Sequence, residues 1–67
     1  MWIRSQNRGL LINTNEIEIL KLGNMYDILS GEFILGMYFS KEKALGVLDE
    51  IQGCITGSIF TNNYEIV

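Results

Sequence analysis

The chain has 67 residues, 48% of them hydrophobic, and a formal net charge of −3 from five basic and eight acidic side chains. A chain this short makes one domain and buries only about 60% of the surface its unfolded form exposes, and with one cysteine and no histidine it can close no internal disulfide and build no ordinary zinc site to reinforce that core. The acidic balance argues against bulk DNA or RNA as a partner, and no window approaches the roughly 20 apolar residues that span a bilayer.

In chain order, residues 1–6 alternate as a strand does, with Trp2, Arg4 and Gln6 on one face and Met1, Ile3 and Ser5 on the other. Asn7-Arg8-Gly9 reads as a turn in which Gly9 supplies the positive φ. Leu10 to Asn13 can return as a second strand, and Asn13-Thr14-Asn15 is again turn chemistry. Glu16 to Leu22 and Met25 to Ser30 flank Gly23-Asn24, a Gly-first pair that predicts a type II′ hairpin. Ser30-Gly31-Glu32 breaks the chain before a segment in which Phe33, Leu35, Met37 and Phe39 share one face, expected to point into the core. Gly36, opposite them, suggests a bulge or a close approach by another chain.

Ser40 is a good N-cap for a helix beginning at Lys41, and Ala44, Leu45, Val47, Leu48 and Ile51 form its apolar stripe. Gly53 can stop this helix, but Ile55 continues the stripe, and an end near residue 56 before Gly57 is favoured. Cys54 reads as a small hydrophobe near that end. Tyr64 to Val67 is short and β-prone and is expected to pair with a sheet edge. The predicted fold is α+β in a single domain over 1–67: a small antiparallel meander of about four or five strands covered by one helix near residues 41–56, with a short C-terminal strand.

Without histidine the Ser/His/Asp and Cys/His nucleophile arrangements cannot be built. Glu16 with Glu18 and Asp49 with Glu50 are the available carboxylate pairs, and neither sits in a recognisable motif. No phosphate-cradling glycine loop is present. The chain therefore reads as a binding protein without catalytic activity or cofactor. The N-terminal segment has no signal-peptide character, and the unpaired thiol suits a reducing compartment, so a cytoplasmic location is expected. The apolar surplus on so small a domain predicts a homo-oligomer.

Charge is distributed unevenly. Residues 1–15 carry Arg4 and Arg8 and no acid, while the remainder carries all the acids. Trp2, Arg4 and Gln6, about 7 Å apart along one strand face, suit a nucleotide: an indole to stack on a base, a guanidinium to fork a phosphate, an amide to read a base edge. With Arg8 they are the candidate ligand-binding residues. The alternative reading puts Trp2 in the core with Arg4 and Gln6 at its rim.

The opening Met1-Trp2-Ile3-Arg4-Ser5-Gln6, the segment Leu11 to Asn15 and the run from Ile34 to Gln52 resemble a group of small proteins encoded by Gram-positive bacteria and their phages. Those proteins share the Met-Trp-Ile-Arg-Ser-Gln start and an Ile-Leu-Gly-x-Tyr strand leading into a Lys-Glu-Lys-Ala-Leu helix. This chain departs from them at Gly53, Gly57 and Tyr64 to Val67, where they have a more polar helix end and tail. The resemblance implies, by analogy with other small phage proteins, a counter-defence role. One form of it is sequestration of a nucleotide-derived immune signal, with residues from two copies lining a shared pocket. A second is inhibition of a host defence protein, such as a nuclease or a CRISPR effector, through a strand edge or the acidic set Glu16, Glu18, Asp27 and Glu32. A structural or assembly subunit is the third.

Overall fold

The computed structural model describes residues 1–57 and 62–67. Within them are six strands, β1 (Trp2–Arg4), β2 (Leu11–Asn13), β3 (Glu18–Leu22), β4 (Met25–Ser30), β5 (Phe33–Tyr38) and β6 (Asn63–Glu65), and one helix, α1 (Lys41–Thr56). The fold is α+β. The strands do not join in one meander, however. They divide into two three-stranded sheets, ordered β2-β1-β6 and β3-β4-β5.

The second sheet follows from its turns. Gly23, at φ 61°, occupies the first position of a two-residue loop that pairs Leu22 with Met25, and Gly31, at φ 59°, does the same between Ser30 and Phe33. A side chain at either position would meet the steric cost of positive φ, so both hairpins depend on a leading glycine. The segment Ser30-Gly31-Glu32 is thus a second hairpin as well as a break.

Alternation in β5 does not run as the sequence suggested. Leu29 pairs with Ile34 and Ile28 with Gly36, leaving Leu35 as an extra, bulged residue. Leu35 is buried, but beyond the bulge Tyr38 turns to the core and Met37 turns away. Met37 and Phe39 are consequently exposed, and Phe33, which precedes the bulge beside the Gly31 turn, is exposed as well; none of the three is interior as expected.

Helix α1 begins where Ser40 accepts a bond from the Lys43 amide at 3.3 Å, and it ends at Gly57, with Gly53 inside it. Its buried residues are Ala44, Val47, Ile51 and Cys54. Leu45 and Ile55, placed on the stripe by their spacing, are exposed, and Cys54 fills the position expected of Ile55. This face packs with Ile28 and Leu35 of the second sheet, Ile3 of the first, and Ile66.

The first sheet is assembled from distant parts of the chain. Strand β6 lies parallel to β1, with Ile3 opposite Tyr64, and β2 lies antiparallel on the other side, with Ile3 opposite Ile12. The C-terminal segment does pair as a strand, but over Asn63–Glu65, beginning one residue and ending two residues earlier than expected, so that Ile66 and Val67 lie beyond it. No helix among the described residues is long and apolar enough to cross a membrane.

The two sheets meet at Gly36. A Cβ there would stand 2.9 Å from Ile66 Cγ2 and 3.6 Å from Gln6 Cβ. The close approach inferred from this glycine is therefore made by the chain's own C-terminal segment. Because Ile66 is almost wholly enclosed, Gly36→Ala is expected to cost about 1–3 kcal/mol through overpacking, read as a lowered denaturation midpoint with an unchanged denaturant slope.

Candidate functional site

Ile3 is fully buried, and its neighbours across β2 and β6, Ile12 and Tyr64, pack against the same core. In a pleated sheet the adjacent positions face the opposite way. The outer face therefore carries two cross-strand rows, Asn13–Trp2–Asn63 and Leu11–Arg4–Glu65. Trp2 is 40% exposed, which decides between its two readings: it belongs to this face and not to the core. A cleft of about 290 Å³ opens there, lined by Trp2, Arg4, Arg8, Leu11 and the three residues of β6.

Arg8 reaches the cleft from the loop joining β1 to β2. The Ser5 amide bonds the Leu10 carbonyl at 2.8 Å, and the Ser5 hydroxyl accepts from the Leu10 amide at 3.0 Å while donating to Asn7 Oδ1 at 2.6 Å. Asn7 Oδ1 also accepts from the Gly9 amide at 2.9 Å. With the Arg8 amide bonded to the Ser5 carbonyl at 2.8 Å, the left-handed position of this turn falls on Arg8, at φ 66°, and not on Gly9. A long side chain at a position that favours glycine is a strained choice, and such outliers gather at functional sites.

The Arg8 guanidinium meets Glu65 Oε2 at 3.1 Å. Both side chains are largely exposed, at 66% and 44%, so this pair contributes little to stability and is readily exchanged for another anion. The Arg4 guanidinium makes no hydrogen bond or ion pair among the described residues. Among the described residues, the cleft thus offers two guanidinium groups against one carboxylate, beside an indole.

Gln6 is not part of this arrangement. Its amide donates to the Leu35 carbonyl at 2.7 Å, and its Oε1 accepts from the Met37 amide at 2.9 Å. It therefore occupies the backbone groups on either side of Gly36, next to the β5 bulge, and joins the two sheets. Three of the four sequence-predicted residues, Trp2, Arg4 and Arg8, come together; the fourth holds the scaffold.

Leu11 and Glu65 were missed as site residues. Alternation within Tyr64-Glu65-Ile66 could have turned Glu65 outward, but its place beside Arg4 depends on the parallel pairing of β6, which has no local signal. Among the described residues, no group of three acidic or thiol side chains converges as a metal site would require. Asp27, grouped from sequence with Glu16, Glu18 and Glu32, is buried while the other three are exposed, so the set does not form one acidic surface.

Behind the cleft, Tyr64 donates to Glu50 Oε2 at 2.9 Å and ties β6 to α1. Burial first, and then the hydrogen bond and negative charge of Glu50, raise the Tyr64 pKa above the ordinary value of 10.0. Burial and Glu50 act in the same direction on Tyr38, whose hydroxyl donates to the Val67 carbonyl. A phenol with a raised pKa holds its proton more tightly in the folded state, so its contribution is intact below about pH 10 and is lost as pH rises through the folded value. Tyr64→Phe is expected to lower stability by about 1 kcal/mol at neutral pH and to flatten the alkaline decline, measured by denaturant unfolding across a pH series.

No family model matches the chain, and neither a curated protein nor a solved structure matches it.

Proposed function

We propose that this is a non-catalytic binding protein that sequesters a nucleotide-derived anion in the cleft on the outer face of the first sheet. The observation that supports the reading is the meeting, at one cleft, of the chain's single tryptophan with Arg4, which has no partner among the described residues, and with the exchangeable Arg8. An indole stacks on any nucleobase with little regard to its identity. A guanidinium fork suits phosphate oxygens. The cleft volume of about 290 Å³ lies at the small end of ligand pockets and suits one nucleotide unit.

Glu65 sets a threshold for entry. While paired with Arg8 it occupies that guanidinium, and an incoming phosphate must displace it. A ligand with two bases or several phosphates needs more cation than one cleft holds, which a second copy of the chain supplies. The resemblance of the Met1 to Gln6 and Ile34 to Gln52 segments gives the reading its setting: a phage-encoded counter-defence protein in the host cytoplasm that holds an immune signal away from its receptor.

Calorimetry with a panel of cyclic mononucleotides, cyclic dinucleotides and ADP-ribose derivatives tests the proposal. Tight binding of at least one is expected, weakened about tenfold or more by Arg4→Ala, which removes a charge-assisted hydrogen bond. Glu65→Gln, which frees Arg8, is expected to tighten binding of the same ligand. No heat with any compound would contradict the proposal.

A further inference from the structure

The second sheet has its own exposed face. Ile28, at the middle of β4, is fully buried against the helix side, with Ile19 beside it. Alternation therefore turns Asp27 and Leu29 to the opposite face, where Leu20 and Met37 flank Asp27, Ile34 and the exposed Glu18 flank Leu29, and Leu22 follows on the same edge. Leu20, Leu22, Ile34 and Met37 are each about half exposed, between 45% and 51%. Side chains of this size gathered on one sheet face mark an interaction site more often than a solvated surface.

At the centre of this face lies Asp27. Only 3% of the residue is exposed, and its Oδ1 is enclosed with no hydrogen-bond partner. A carboxylate oxygen withdrawn from water without a donor is costly, and among the described residues its neighbours on this face, Leu20, Leu29, Ile34, Met37 and Glu18, carry no side-chain donor. The nearest cation along β3, Lys21, pairs with Tyr26 on the other face and stands over its ring at 5.8 Å.

We propose that this face docks a second protein whose surface presents a lysine or arginine ringed by apolar side chains, with the basic group reaching Asp27. Charge complementarity selects this occupant over a second copy. A symmetric pairing of the face with itself would bring two enclosed carboxylates together and no donor, on chains that each carry a net charge of −3. The apolar ring supplies contact area and excludes water, and the central ion pair fixes orientation.

Two measurements test the proposal. A random-sequence peptide library is selected on the intact protein, and the best peptide is then synthesised and titrated. The expected result is a Lys or Arg bracketed by apolar residues, with affinity falling roughly thirtyfold or more on Asp27→Asn, as for loss of one partner of a buried charge pair. Leu20→Ser, at an exposed position, is expected to weaken the same peptide, while Trp2→Ala leaves it unchanged. Selected peptides without a basic residue, or binding indifferent to Asp27→Asn, would overturn the proposal. So would light scattering that shows a dimer dissolved by Met37→Ser, since the face would then be covered by a second copy. In the free protein, Asp27→Leu is expected to raise the melting temperature by about 4–8 °C, because an unsatisfied buried carboxylate is replaced by an apolar side chain. A fall in melting temperature would show that Asp27 is required by the fold itself and would count equally against the proposal.

Discussion

Burial of Ile3 is the constraint on which the rest of the molecule depends. It sits at the middle of a three-residue strand that is the centre of its sheet, and it packs with the helix, the second sheet and Ile66 in one cluster. Enclosing such a side chain stabilises the fold by about 1.5–3 kcal/mol. A slip of one residue in β1 would expose Ile3 and press Trp2 or Arg4 into the core, so the register is strongly specified despite the short strand. The same alternation that buries Ile3 turns Trp2 and Arg4 outward. The candidate site is in this sense the other side of the core.

The second constraint is the junction at Gly36. The bulge at Leu35 leaves the β5 backbone out of step with β4, and Gln6 takes up the Leu35 carbonyl and the Met37 amide. Ile66 then closes on Gly36 from the same side, held in place by the hydrogen bond its backbone N–H donates to the Arg4 carbonyl at 3.0 Å. Each sheet alone has only three strands and one covered face. Joined here, with α1 laid across them, they share a single core and leave two outer faces, one carrying arginines and an indole, the other apolar around a carboxylate.

The parts of this arrangement that were legible in the sequence are those whose cause is local. Gly23-Asn24 dictates its own turn, Ser40 and Gly57 bracket the helix, and the alternation of residues 1–6 separates Ile3 from Trp2 and Arg4. What could not be read depends on partners far along the chain. Arg8 and Glu65 are 57 residues apart, and their meeting requires the parallel docking of β6. The role of Gln6 follows from a bulge in another sheet, so a residue chemically suited to a base edge serves instead as a joint. Gly9 is the residue whose composition suits positive φ, but the hydrogen bonds of Ser5 and Asn7 place that conformation on Arg8. The exposed positions of Met37 and Phe39 follow from the bulge as well, since an extra residue in a strand exchanges the faces of everything beyond it.

Ile3 faces in and Trp2 faces out, onto a cleft whose described lining holds two guanidinium groups and one carboxylate. The chain's single tryptophan makes this directly measurable. Quenching of native fluorescence by iodide and by caesium should show a solvent-exposed indole that iodide quenches more efficiently than caesium, with the difference reduced in Arg4→Ala. Blue-shifted emission from an indole that neither ion reaches would place Trp2 in the core and contradict the account.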